Sequence, residues 1–274
     1  MKTPSSELKR RAKQTLKGRY GLCIGTMFIV YAVVFTIVLI YFGAVFSLEL
    51  AKASFFTSGN GKATFIIFRG AAFFAYVVML SLVGLLTPGI SRIYLNLCTG
   101  QPARVSDLLY AFQNKPHKFL GFYFMTILIR IVWGIPYFVV FAVSIITDFI
   151  PVMTVLTVLM YLLWLFGALF TMLFLSQSMF ILIESPDKKV FASFRKSADM
   201  MKDYKGSLFY LYLSFFGIIV LGYCSFGIGF LWISPYVQCT LTEFYLDLKA
   251  RYEPKSYDRY EDRSFETMRN PENQ

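Results

Sequence analysis

The residue that most needs a chemical explanation is Arg130, a guanidinium inside a long apolar run. It lies about 11 residues into the stretch 119–146, roughly 16 Å along a helix that rises 1.5 Å per residue. An arginine at mid-bilayer costs about 2.5–3.5 kcal/mol on insertion scales, so it should face the helix bundle or water. Three residues on later apolar runs can meet it: Gln177, Gln238 and Glu243, the last as the favoured charged partner. Two chemistries are open. A planar, permanently charged fork of donors can hold an anionic group, such as a lipid phosphate or a substrate carboxylate. The same fork can make a structural ion pair or hydrogen bond within the protein. On the first reading Arg130, Gln177, Gln238 and Glu243 form a ligand site.

Other reactive constellations are scarce. His117 is the single histidine, which removes histidine-rich metal sites and most histidine-dependent triads. No Gly-x-x-x-x-Gly-Lys-Ser/Thr loop is present, so nucleotide hydrolysis of that kind is excluded. Glu184 and Asp187 are close in sequence and could hold a cation, or could simply form a solvated helix start. Cys23, Cys98, Cys224 and Cys239 are far apart, with no metal-ligand spacing. They are expected to be small apolar packing residues rather than disulfides. The expectation is therefore no enzyme, no metal and no cofactor.

The elements that must position Arg130 follow from composition. Hydrophobic residues make up 57% and charged residues 16%, with mean hydropathy +0.57; a soluble domain is nearer 45–50% apolar and about 25% charged. Six stretches are long enough to cross a bilayer: 22–46, 65–88, 119–146, 152–183, 207–223 and 227–246. The segments on one side of them hold 7, 4, 6 and 6 Lys plus Arg, against 2, 0 and 0 on the other, with Arg69 near the start of the stretch 65–88 and Arg130 within 119–146. Cytoplasmic loops retain Lys and Arg, so both termini are expected inside. The formal charge of +11 thus belongs to helix flanks that meet anionic lipid headgroups, not to nucleic acid. A cleavable signal has an apolar core of about 7–15 residues; 22–46 is longer, which points to an uncleaved first helix.

Residues 1–21 read as an amphipathic helix at the membrane surface. Thr3 suits its cap and Pro4 its first turn, with Leu8, Ala12, Thr15 and Leu16 on one face. The device recurs as Val105, Leu108, Leu109 and Phe112, and as Phe191, Phe194, Ala198 and Met201 after the start signal Ser185-Pro186-Asp187. Each stripe precedes a pair of apolar runs, which suggests three parallel units of an interfacial helix plus a hairpin; plain alternation of spans and basic loops would look similar. Breakers at Thr87-Pro88-Gly89 and Ser234-Pro235-Tyr236 can line a cavity or mark packing kinks. The run 152–183 would be roughly 48 Å long against a hydrocarbon core of about 30 Å, so it must tilt or protrude. Gly59-Asn60-Gly61 gives the largest outer loop a turn. Tyr20, Tyr41, Tyr123, Trp133, Tyr137, Tyr223, Trp232 and Tyr236 fit aromatic belts. The division is a helix over 1–21, a six-helix transmembrane domain over 22–248, and a largely disordered tail over 249–274.

The second half carries a more specific signal. Ile183-Glu184-Ser185-Pro186 leads to Ser197-Ala198-Asp199-Met200-Met201-Lys202 and then to Ser207-Leu208-Phe209 and Leu213-Ser214-Phe215. Gly227-Ile228-Gly229-Phe230-Leu231-Trp232, Pro235-Tyr236 and Phe244-Tyr245 complete the pattern. This resembles the bacterial integral-membrane family known as domain of unknown function 975. Asp203 departs from that family's usual Gly, and Glu184-Ser185-Pro186 from its Asp-x-Pro. The resemblance implies an all-α membrane bundle in a bacterial, Gram-positive plasma membrane, and brings no reaction with it. Two functions remain. One is a non-enzymatic membrane protein that handles a lipid, peptide or small amphipathic solute; the other is a structural protein that anchors a complex without transport. Membrane lipids are the expected partners.

Overall fold

The computed structural model describes residues 3–56, 61–147, 150–187 and 189–269, without the side chains of 53–63, Leu80 and 254–269. Among them 86% is helix and no strand occurs. The turn expected at Gly59-Asn60 lies outside the described residues.

α1 (Ser5–Leu16) forms because Glu7 in its first turn binds Arg10 and Arg11 (2.8 and 3.1 Å) while Leu8, Ala12 and Leu16 share a face. The Arg10 and Arg11 hydrogen bonds hold the Glu7 carboxyl down at about 2. Gly18, at φ +78°, turns the chain out of the helix. The apolar face does not rest in lipid as expected. It is buried under α12 (Phe230–Arg269), at about 1.5–3 kcal/mol per fully buried leucine. Pro4 takes the cap position, and the Thr3 hydroxyl donates to Asp247 (2.7 Å) instead of capping.

α2 (Tyr20–Phe56) and α3 (Gly61–Gly84) form a hairpin, as do α6 (Pro116–Ile146) and α7 (Pro151–Leu175). Their outer surfaces are apolar and exposed, for example Phe42, Phe74, Val152 and Phe166. The buried core lies at one end, below the hairpins. It collects α1, α4 (Leu86–Cys98), α5 (Tyr110–Gln113), α8 (Ser178–Glu184), α9 (Val190–Met201), α10 (Lys205–Leu213) and the middle of α12. α11 (Phe216–Cys224) continues α10 after a break and returns through Phe226 and Gly227, both at positive φ, into α12.

Several elements differ from expectation, each for a physical reason. Residues 105–109 form a 3-10 helix that leads into α5; Leu108 and Ala111 are buried, while Val105, Leu109 and Phe112 are exposed. Gly89 is why this segment can pack so closely. A β-carbon there would stand 2.2 Å from the Leu108 carbonyl oxygen. α9 begins at Val190, because Ser185 to Asp187 form a turn tied to α6 by Lys115 and Lys118. Phe194 and Met201 are buried on its inner face, while Phe191 is exposed. α12 is helical as far as Arg269, and Arg251–Asp247 and Lys249–Glu253 pairs at i,i+4 support its course across residues 247–253.

Among the described residues five helical segments are long and apolar enough to cross a membrane: Tyr20–Lys52, Thr64–Cys98, Pro116–Ile146, Pro151–Glu184 and Lys205–Cys224. The sixth expected stretch, 227–246, is helical but diluted by Gln238, Thr240, Thr242 and Glu243.

Candidate functional site: a polar cavity between broken helices

The run expected as one helix over 152–183 is interrupted at Ser176-Gln177, and the interruption is built by α9. Ser197, with no exposed surface, donates to the Phe174 carbonyl (2.7 Å) and accepts from the Gln177 backbone N–H (3.3 Å). One hydroxyl thus satisfies a freed acceptor and a freed donor, which a buried break requires. The break lets α8 turn into the core and leaves the Gln177 side chain facing a cavity of about 430 Å³.

Other interruptions frame the same space. α3 gives way to α4 at Leu85, and Thr87 and Ser91 from the start of α4 line the cavity. α10 gives way to α11 at Ser214-Phe215. There Lys9 reaches from α1 to the Ser214 carbonyl (3.0 Å) with its ammonium over the Phe215 ring, and burial lowers its pKa. Tyr212 of α10 and Gln238 of α12, one turn beyond the buried Pro235, complete the polar lining.

α6 contributes Tyr123, Thr126 and Arg130, spaced i, i+3 and i+7 on one face. The backbone of Arg130 is fixed from α7: Trp164 Nε1 donates to its carbonyl (3.2 Å) while stacking on Tyr137 at 5.7 Å. Gly134 and Gly167 make room for the indoles of Trp164 and Trp133.

Of the expected site residues, Arg130, Gln177 and Gln238 meet at this cavity. Glu243 does not. It accepts a hydrogen bond from Thr15 (3.3 Å), on the α1 side of α12. Gln238 and Glu243 are five residues apart, which at 3.6 residues per turn places them on well-separated faces. The expected Arg130–Glu243 pair is therefore absent. Among the described residues the Arg130 guanidinium makes no ion pair and donates no hydrogen bond. It is the sole charged group in the lining, which contains no carboxylate, histidine or cysteine.

The lining also holds unspent hydrogen-bonding capacity. Gln177 is 2% exposed; its Nε2 donates to Ser176 (2.8 Å) and its Oε1 has no partner. The Tyr123 hydroxyl is likewise buried, with Thr87 beside it, so Tyr123 belongs to the cavity rather than to an interfacial belt. Thr87 belongs to a breaker that the sequence marks as able to line a cavity; Ser91, Tyr123, Thr126 and Tyr212 were missed as lining, although the Tyr123–Thr126–Arg130 stripe in an apolar helix was a legible signal.

The other candidate constellations dissolve. Glu184 accepts from Tyr245 (2.7 Å) and Lys249 (2.8 Å), whereas Asp187 pairs with Lys115, whose hydrogen bond lowers the Asp187 pKa. Each carboxylate already faces a lysine. No cluster of three or more metal-ligating side chains occurs among the described residues. All four cysteines are free thiols; Cys23 and Cys239 are fully buried, and Cys98 lies 3.5 Å from Cys239, sulfur to sulfur.

No curated protein and no solved structure matches the chain. The profile described as protein of unknown function (DUF975) matches residues 1–252, nearly the whole length and including every residue of the cavity. With its all-helical architecture and five membrane-length apolar helices, the chain belongs to the DUF975 family.

Proposed function

We propose that this chain is a non-enzymatic, multi-pass protein of the bacterial plasma membrane whose cavity takes in a lipid, a peptide or a small amphipathic solute. The observation that carries the proposal is the 430 Å³ cavity, which lies where helix interruptions converge and is lined by alcohols, amides and one unpaired guanidinium. Its volume falls within the range of about 300–1,000 Å³ typical of small-molecule sites. Interrupted helices around such a space are how membrane proteins expose backbone and polar side chains to a guest.

Six crossings with cytoplasmic termini fit this arrangement. The polar residues that dilute 227–246 face protein: Gln238 lines the cavity and Glu243 meets α1. The basic face of α1 then borders anionic headgroups at the cytoplasmic surface. Three repeated units fit as well, since α1, the 105–113 segment and α9 each precede a hairpin. An impermeant thiol reagent applied to intact cells should label a cysteine placed at Asn60 and spare one at Gln274.

The guest-binding reading is tested by filling the cavity. Thr126→Trp should leave the protein folded, with the helical circular dichroism of the parent. It should also remove an amphiphile that mass spectrometry finds in organic extracts of the purified parent protein. Identical extracts from both proteins would favour the alternative, a structural protein that anchors a complex and transports nothing.

A further inference from the structure

The cavity has a closed end and an open one, and the difference says where its guest comes from. At the closed end Gln177, Ser91, Phe122 and Phe180 are all less than 9% exposed. At the open end Arg130 is exposed beside Ile127 (54%) and Met172 (44%), which belong to the apolar outer surfaces of α6 and α7. In a bilayer those surfaces face acyl chains, so the mouth opens sideways into lipid rather than into water.

Charge narrows the guest further. Arg130 has no carboxylate in the lining, so a neutral guest leaves a guanidinium uncompensated in a low-dielectric site. A zwitterionic guest supplies an anion but also a cation for which the lining has no acceptor charge. An anionic head answers the guanidinium with a two-point contact. The Gln177 amide oxygen, without a partner on a side chain 2% exposed, can accept a hydrogen bond from a hydroxyl of the head group.

We propose that the guest is an anionic phospholipid drawn sideways from the bilayer. Its phosphate rests against Arg130 at the mouth, a head-group hydroxyl donates to Gln177 Oε1 deeper in the cavity, and its acyl tails stay outside between α6 and α7. This rests on the guest-binding reading above and specifies its ligand.

The test titrates the purified full chain, in a neutral detergent, with dioleoyl phosphatidylglycerol, with phosphatidylcholine of the same chains, and with inorganic phosphate, reading the melting temperature. Phosphatidylglycerol should stabilise at concentrations about tenfold or more below those of phosphatidylcholine, the ratio expected of a charge-assisted hydrogen bond. Arg130→Gln should abolish that preference and Arg130→Lys should keep part of it. A preference that survives in Arg130→Gln comes from other cations and overturns the proposal. Inorganic phosphate protecting as well as phosphatidylglycerol would make the ligand a free anion and overturn entry from the bilayer. Equal responses to both lipids, still abolished by Thr126→Trp, would leave guest binding standing and refute the anionic head.

Discussion

Ser197 and Ser193 lie one turn apart on α9, and both are fully buried, yet the same substitution should affect them in opposite ways. Ser197 bridges the interrupted helix at 2.7 Å to the Phe174 carbonyl and 3.3 Å from the Gln177 N–H. Ser197→Ala leaves that buried donor and acceptor unpaired, and an unsatisfied buried polar group costs about 1–3 kcal/mol. The longer bond is the weaker of the two, so the expected loss is about 2 kcal/mol rather than the sum of two maximal penalties. The Ser193 hydroxyl has no partner in the core. Ser193→Ala removes a group that is desolvated without recompense, so it should be neutral or slightly stabilising. The two variants have the same change in volume and the same helix propensity change, so their difference isolates the hydrogen bonds. Equilibrium unfolding of the purified protein in mixed micelles reads that difference. Equal destabilisation by both substitutions would refute the claim that Ser197 builds the break at Ser176-Gln177.

Three further outcomes follow from the packing. Gly89→Ala should cost about 1–3 kcal/mol, the usual range for overpacking, because the new methyl meets the backbone of Leu108 rather than a movable side chain; a melting temperature equal to the parent's would contradict that close approach. Arg130→Met and Glu243→Gln should have additive effects on stability, as they do not touch the same partner; a double variant more stable than the sum would restore the ion pair. For Glu7 the folded carboxyl titrates at about 2 against an ordinary 4.5. The lowered value means its stabilising contribution is complete above pH 4.5 and is lost as pH falls toward 2. Glu7→Gln should therefore flatten the stability profile in that window, and overlapping profiles would show that α1 draws nothing from the pair.

How much was legible in the sequence depended on whether the cause was local. Arg130, Gln177 and Gln238 stand out because polar side chains in apolar runs must find protein or water, and they gather at one cavity. Glu243 was assigned with them because charge alone suggested it, but helix geometry turns it toward Thr15. The hairpins followed from apolar length. The break before α8 did not, since its cause is a hydroxyl from α9 that no pattern within 152–183 contains. Likewise the stripe at 105–112 fits a helical period, whereas residues 105–109 form a 3-10 turn that packs closely on Gly89. α1 looked like a surface helix because its sequence records only that one face is apolar, not that α12 lies beneath it.

The most direct test of the central claim is a high-resolution map of the protein reconstituted in lipid nanodiscs that contain phosphatidylglycerol. A bound molecule should appear in the cavity with its head within hydrogen-bonding distance of Arg130 and Gln177 and its tail leaving between Ile127 and Met172. A cavity collapsed into solid packing, or Arg130 turned onto a carboxylate of the protein with no guest beside it, would contradict the account.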